Sequence, residues 1–446
     1  MNEAWPKTTL GELEKTGKAN IQTGPFGTVF KASEYSENGV PVISVGEIQR
    51  GYIKISDHTP KVPESVTSRL PQFILKSGDI VFGRKGAIDR NSIVTDRQSD
   101  WFLGSDGIRL RLCDSINSLF VSYQFRIPTI GHWLLKNSSG SIMPSLNQKI
   151  LNALPLWLPE TVKEQKKIAA VLSALDAKIE INNRINGELE AMAKTLYDYW
   201  FVQFDFSNAN GQPYKSSGGK MVYNETLKRE IPEGWGVDSL AGLIASDKSG
   251  DWGKESAQGN YTEQVFCMRG ADLNGLNGKG SLKPPTRFIL KKNCHKLLKQ
   301  NDFIVEISGG SPVQSTGRLA FICDDVLSRF DSPVICSNFC RAFSLSNPEL
   351  VFYFSNLWSS IYDHKILFGW EGKTSGIKNL LFDSFINAYW AVVPDPEVLS
   401  NFNALAAPIQ AKKQKLLFEN QQLTSLRDFL LPMLMNGQVQ VVGDVE

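Results

Sequence analysis

A shift of 237 residues lays the second half of this chain on the first. Pro159-Glu160 then falls on Pro396-Glu397, Ala169-Ala170 on Ala406-Ala407, Lys178 on Lys415, Asn183 on Asn420 and Leu189 on Leu426. The register holds without a gap for nearly forty residues. A fixed internal period constrains architecture more than any local signal, because each copy must build the same unit. Both copies are helical in pattern, and each follows about 150 residues of strand-rich sequence. The expected molecule has two globular arms and two long helices.

The helices carry heptad columns. In the second copy Ile409, Leu416, Leu423 and Leu430 recur every seven residues, with Leu405, Lys412, Glu419, Leu426 and Met433 between them. In the first copy the columns are Leu172, Ile179, Asn186, Ala193 and Ile168, Leu175, Asn182, Leu189, Leu196. Alternating spacing of three and four over four heptads is a coiled-coil seam. The alternative is two amphipathic helices packed on separate cores. Polar residues interrupt both seams, at Asn182 and Asn186 and at Glu419. If a two-fold axis relates the halves, the helices run antiparallel and Asn182 meets Glu419. Polar seam positions also mark places where helices splay. Pro408 stands where the first copy has Val171. Proline is tolerated in a first turn, so the second helix is expected to begin later than its twin.

A chain of 446 residues suits two to four domains, and 42% hydrophobic residues supply real cores. No stretch of eighteen apolar residues predicts a membrane span, and the N-terminus lacks a signal-peptide pattern. Cys113, Cys267, Cys294, Cys323, Cys336 and Cys340 are irregularly spaced and show no zinc-ligand spacing. They read as free thiols of a cytoplasmic protein. Net charge is +2, with mildly basic arms and mildly acidic helices. That is weak evidence for nucleic acid without clustering on one face.

Residues 207–220, SNANGQPYKSSGGK, read as a flexible connector. An aromatic knot, YDYWFVQFDF, precedes it. Its Tyr197, Tyr199, Trp200 and Phe201 are either core or a partner-binding patch. Each arm opens with a Trp and a short amphipathic turn, Leu10 and Leu13 matching Leu240 and Leu243. Strand signals follow: PVISVGEI, GDIVFGR, NSIVTD and GIRLRL in the first arm; QVFCMRG, NDFIVEIS, RLAFICDD and FCRAFSL in the second. LKSGD at 75–79 matches LKQND at 298–302, but the loops around them share almost nothing. Shared strands with different loops are expected of two binders of different targets.

FVQFDF, GQPYKSSGGKM, EIPEGW, TGPFG at 23–27, GRKGAI at 83–88, and SLNQKILNALPLWLPE with EQKKIAAVLSALDAKIEINNRINGELEAMAKTLY carry a resemblance. Together, in this order, they resemble the specificity (HsdS-like) subunit of Type I restriction-modification enzymes over the whole chain. The resemblance implies an α+β fold: two similar α/β target recognition domains joined by two long antiparallel coiled-coil spacer helices in a pseudo-two-fold repeat. It implies recognition domains at 1–155 and 230–395, spacer helices at 156–206 and 396–446, and a linker at 207–229. Each recognition domain would read one half of a split double-stranded DNA target in bacterial defence. Two modification (methyltransferase) subunits and motor-nuclease restriction subunits would bind the chain. S-adenosylmethionine, ATP and magnesium would sit on those partners, and none would be bound here.

The residues agree. The sequence has no N-P-P-F, D-P-P-Y or F-x-G-x-G motif. GWEGKT at 369–374 lacks the first glycine of a phosphate loop, having Leu367 there. His58, His132, His295 and His364 are scattered. For DNA contact, GRKGAIDR offers Arg84, Lys85 and Arg90 in a turn after a strand; Arg reads guanine and Lys serves phosphates as readily as bases. Ser141, Ser145, Asn147 and Lys149 precede the first helix, and Lys373, Thr374 and Lys378 occupy the corresponding place in the second arm. Ser311, Gln314, Ser315 and Arg318 stand where the second arm lacks the Arg-Lys pair. Each also fits a solvated turn. Two other functions remain open on the residues alone: a self-sufficient nuclease or methyltransferase, and a coiled-coil adaptor binding only proteins.

Overall fold

The computed structural model describes residues 5–140, 143–309, 311, 314–374 and 376–442. They form two compact units, 1–179 with 422–446, and 180–421.

In the first unit a four-stranded antiparallel sheet runs in the order Ala19–Thr23, Gly107–Leu112, Ile80–Gly83, Asn91–Ile93. A three-stranded sheet places Val40–Ile43 between Lys61–Val62 and Phe102–Leu103, the last pairing being parallel. Lys7–Thr9 pairs with Pro155–Trp157 and closes the arm. The second unit repeats this order strand for strand. Its four-stranded sheet is Ile244–Ser249, Cys340–Leu345, Asp302–Glu306, Leu319–Phe321. Its three-stranded sheet is Thr286–Leu290, Tyr261–Met268, Val334–Cys336, again parallel at the last pair. Gly236–Ser239 pairs with Trp390–Val393. All eight strand signals therefore fall on strands, and the fold is the α+β internal repeat.

The central strands, IVFG and DFIVE, are buried at every residue. They read as continuous apolar runs because both faces are covered. The turn before each is the same device. Gly78 and Asn301 take left-handed backbone (φ 83° and 68°), which glycine and asparagine tolerate best. The following carboxylates, Asp79 and Asp302, accept from Lys76 N (2.7 Å) and Lys299 N (2.8 Å). Each is buried, and each has a cation: Arg111 at 2.7 Å in one arm and Lys248 at 2.6 Å in the other.

The long helices are Val162–Tyr197 and Pro396–Met435. They are paired antiparallel in both units. In the second unit Asn182 Nδ2 donates to Glu419 Oε2 (3.0 Å) and Asn420 Oδ1 (2.9 Å), Asn420 donates to Asn183 (2.8 Å), and Lys413 pairs with Glu190. In the first unit Arg427 pairs with Asp176 (2.8 Å), and Ile168 and Leu172 share a core with Leu431 and Leu434, flanked by Leu430. The anticipated Asn182–Glu419 meeting is thus found, with Asn420 added. Burial opposes ionisation of Glu190, but Lys413 and Lys279 outweigh it and hold the carboxyl below its usual range.

The seam is less apolar than the heptads predict. Ile168, Leu172 and Leu416 are buried, and Leu175, Ile179, Leu189, Ile409, Leu423 and Leu430 are half-buried. Leu189 and Ile409 line a cavity of about 360 Å³. Leu426 is a correction. It is 46% exposed, as is Leu405. The buried line runs instead through Ala406, Gln414, Leu417, Asn420, Leu431 and Leu434. A helix packed on an arm core as well as on a partner helix buries a stripe of period 3.6, not a strict seam of period 3.5.

Pro408 also acts differently from expectation. The second helix begins at Pro396, three turns before it. An interior proline costs about 3 kcal/mol. Leu399, Phe402 and Ala406, all buried in the second arm's core, hold the preceding turns and offset that cost.

The segment 207–220 is folded rather than flexible. Asp205 takes hydrogen bonds from Ser216 N and Oγ, both 2.7 Å. Tyr214 stacks on Phe206 (4.7 Å), which stacks on Trp235 (5.1 Å). Tyr197, Trp200 and Phe201 join the same core, while Tyr199 is exposed. Core is therefore the correct reading for three of the four knot residues.

Candidate nucleic-acid interface

In the first arm the chain leaves the Ile80–Gly83 strand into Arg84 and Lys85. Arg84 N donates to Asp106 O (2.8 Å), and Arg84 O accepts from Leu146 N (2.8 Å). Lys85 bridges Ser145, and Gly86 N donates to Pro144 O (2.9 Å). The two stretches read separately in the sequence, 83–90 and 143–149, are therefore one surface. Ser145 is tied to Ser139 by backbone bonds in both directions. Asn147 caps the Gln148–Asn152 helix through Ile150 N (2.9 Å), and Lys149 is exposed on it. Lys85 Nζ lies 3.5 Å from Asp106, both half-exposed. Arg90 is exposed. Ser141 lies outside the described residues.

Strand register fixes the equivalent positions in the second arm. Gly83 faces Gly107 as Glu306 faces Cys340, so Gly83 matches Glu306, Lys85 matches Ser308 and Asp106 matches Phe339. Phe82 faces Asn91 as Val305 faces Leu319, so Arg90 matches Arg318. Arg318 does not reach outward. Its guanidinium grips Glu306 through two bonds (2.8 and 2.6 Å), with its side chain 16% exposed. That bidentate pair raises the Arg318 pKa despite burial. In the first arm glycine occupies the acid's place, and Arg90 is left to solvent.

Lys378 is also drawn inward. It pairs with Glu371 (3.1 Å) and lies over the Phe368 ring at 4.9 Å. Glu371 accepts from Thr316 N (2.7 Å) and from Ser315 (3.3 Å). Lys373 and Thr374 fall on the Glu371–Thr374 strand, hairpin-paired with Ile377–Leu380. GWEGKT thus enters a strand, whereas a phosphate loop opens a helix. Gln314 is likewise held locally, its N donating to Ser311 Oγ (3.2 Å).

The second arm offers a cavity of about 620 Å³ where the first arm offers charges. Trp252, Phe339 and Ile377 line it, with Glu306 and Arg318 also on its wall. Sequence reading missed Trp252 and Phe339. The strand register reveals the first of them: TGPFG follows the Ala19–Thr23 strand as SGDWG at 249–253 follows Ile244–Ser249. Phe26 is 56% exposed with the Arg84 guanidinium 5.1 Å from its ring. Trp252 is 38% exposed with the Arg287 guanidinium at 4.2 Å.

Among the described residues no group of three or more His, Cys, Asp or Glu is arranged to hold a metal, and no helix is long and apolar enough to cross a membrane. The six cysteines are free, and burial pushes the Cys267 and Cys336 thiols up to about 12.

Residues 4–191 match the family model of the Type I restriction modification DNA specificity domain. The MjaIX Type I restriction enzyme specificity subunit of Methanocaldococcus jannaschii is 25% identical over 429 residues, 92% of this chain and 89% of that one. The HindI specificity subunit of Haemophilus influenzae is 22% identical over 352 residues, 69% of this chain and 73% of that one. The crystal structure of a Type I restriction-modification S subunit from M. genitalium shares the fold, with a TM-score of 0.56 at 14% identity over 97% of each chain. The first arm with its helix is therefore a specificity domain of the Type I kind. Beyond that domain, the chain is similar over most of its length to specificity subunits of Type I restriction-modification systems.

Proposed function

We propose that this chain is the DNA-reading component of a Type I complex, each arm reading one half of a split duplex target. Residues 1–155 and 230–395 are the recognition domains in this reading. Residues 156–206 and 396–446 are the spacers, and 207–229 is a folded linker. One observation carries it: the arms share their four-stranded and three-stranded core sheets strand for strand and differ in what leaves those sheets, the second arm adding the Glu371–Thr374 and Ile377–Leu380 hairpin. Scaffold sameness with loop difference is what two readers of unlike sequences require. Arg84, Lys85, Arg90, Ser145, Asn147 and Lys149 serve the first half-site. The loops around Trp252, Phe339, Lys373 and Thr374 serve the second.

Modification subunits and motor-nuclease subunits assemble on the chain and carry S-adenosylmethionine, ATP and magnesium. The chain itself performs no chemistry and acts in the cytoplasm. Methylome sequencing of a host with and without the gene tests the reading. A split motif that disappears on deletion supports it, and an unchanged methylome defeats it. Exchange of residues 1–150 with those of another family member should alter one half of the motif only. Alteration of both halves would sink the idea of two independent readers.

A further inference from the structure

We propose that Phe26 and Trp252 are a duplicated contact through which both arms grip the sugar–phosphate wall of duplex DNA regardless of sequence. The inference rests on the DNA-reading function above and assigns one part of it to named residues.

The two sites are built alike. Each aromatic follows the edge strand of its four-stranded sheet by three residues, at the same step of the repeat. Each is preceded by a glycine that nothing else can replace. A Cβ on Gly24 would lie 1.8 Å from Gly104 O, and one on Gly250 would lie 1.9 Å from Ser337 O. Both obstacles are backbone, so neither can yield. The loop is pinned against the turn that starts the neighbouring strand, and the ring is left facing solvent. A guanidinium then lies against each ring, from Arg84 in one arm and from Arg287 in the other. These arginines come from unrelated places, one from the loop after the central strand and one from the three-stranded sheet. The arrangement recurs although the residues supplying the cation do not.

Everything beside the rings differs. The first arm has Lys85 and Asp106 where the second has Ser308 and Phe339. A feature common to two arms, an aromatic ring backed by the same loop step with a guanidinium against it, does not distinguish two different half-sites. It can only serve what the half-sites share, which is the backbone: phosphate contacts position a protein and carry no sequence information. The chemistry suits that task. A guanidinium against an aromatic ring adds positive potential beside it, tempered in the second arm by the Glu255 carboxylate 3.1 Å from Arg287, and favours approach of a polyanion. The ring's flat apolar surface packs on deoxyribose at low entropic cost.

The test uses the chain assembled with its modification subunits, Phe26→Ala, Trp252→Ala and the double variant, and ring-retaining controls Phe26→Tyr and Trp252→Phe. Fluorescence anisotropy measures binding to the cognate duplex and to a scrambled duplex. Each alanine variant should weaken both by the same factor, about tenfold, the scale of losing one well-packed contact. The controls should bind as wild type, and the methylated motif should be unchanged. Loss confined to the cognate duplex would overturn the proposal, because it would make the rings base readers. So would intact DNA binding, or failure of the variants to assemble with modification subunits on gel filtration, which would make the rings a protein contact. A wild-type complex that binds neither duplex would overturn the DNA-reading function itself, an outcome distinct from wild-type binding with unaffected variants.

Discussion

Where the central strand of the first arm ends, the chain has Gly83; at the same step of the second arm it has Glu306. One residue reverses the character of the surface above it. Glu306 draws Arg318 into a pair with side chains 5% and 16% exposed. Gly83 attracts nothing, and Arg90 stays outside. The neighbouring positions follow suit, Lys85 and Asp106 in one arm against Ser308 and Phe339 in the other. The first arm presents charged groups in solvent, and the second presents an aromatic-lined cavity over an internal ion pair. A candidate DNA contact therefore cannot be transferred between repeats by position alone. It depends on whether the fold has already supplied the cation with a partner.

The largest expected effect tests that ion pair. Glu306→Ala strands a buried guanidinium and should cost about 3–5 kcal/mol in urea unfolding. Glu306→Ala with Arg318→Ala should recover most of it. A cost below about 1 kcal/mol for the single change would mean that Arg318 simply swings outward, making the two arms alike.

The helix copies sharpen the same contrast, because the repeat-equivalent residues Asn182 and Glu419 differ and touch. Asn182→Leu leaves the facing polar groups short of a donor and should cost about 1–3 kcal/mol. Adding Glu419→Leu should restore part of the loss, with Asn420 limiting the recovery. A double-mutant cycle on thermal unfolding reads the coupling, and a value near zero would contradict the contact.

Lys85→Gln should leave folding unchanged and lower the slope of log affinity against log salt by about 0.9, one phosphate's worth. Ser308→Lys should raise it comparably if the second arm approaches DNA with the same edge. An unchanged slope in the second case would show that the arms present different edges.

The smallest effect is in pH. Glu190 has a folded pKa below its unfolded value, so its contribution is present above the ordinary glutamate range, about 4.3. It is lost as pH falls through the lowered value. Glu190→Gln should therefore flatten the stability profile below about pH 4.3 and leave its shape above unchanged. A profile identical to wild type in acid would show that Lys413 and Lys279 do not favour the ionised carboxyl in the folded chain.

Much of this was legible in the residues. The 237-residue repeat, the eight strand runs and the Asn182–Glu419 meeting follow from periodicity and register, which are local properties of a chain. The seam was legible only in part: Leu172 and Leu416 follow the heptads, but Leu426 is exposed because the arm core claims another stripe of the same helix. Pro408 misled because a proline's cost is local while the packing of Leu399 and Phe402 that offsets it is not. The connector misled similarly, since glycine and serine counts do not register a Tyr214–Phe206–Trp235 stack.

By itself, then, the sequence determined that the chain is built twice, that each copy is a strand-rich arm with a long helix, and which family it resembles. Repeats and alternation are written residue by residue. Tertiary structure decided which side chains face out. Arg318 and Arg90 are the same residue type at the same step of the repeat, and only a neighbour on an adjacent strand, Glu306 or Gly83, makes one internal and the other available. Phe26 and Trp252 face solvent for a like reason: a carbonyl from a neighbouring turn leaves room for glycine alone before them. Contacts between strands far apart in sequence set these outcomes, and no local pattern records them.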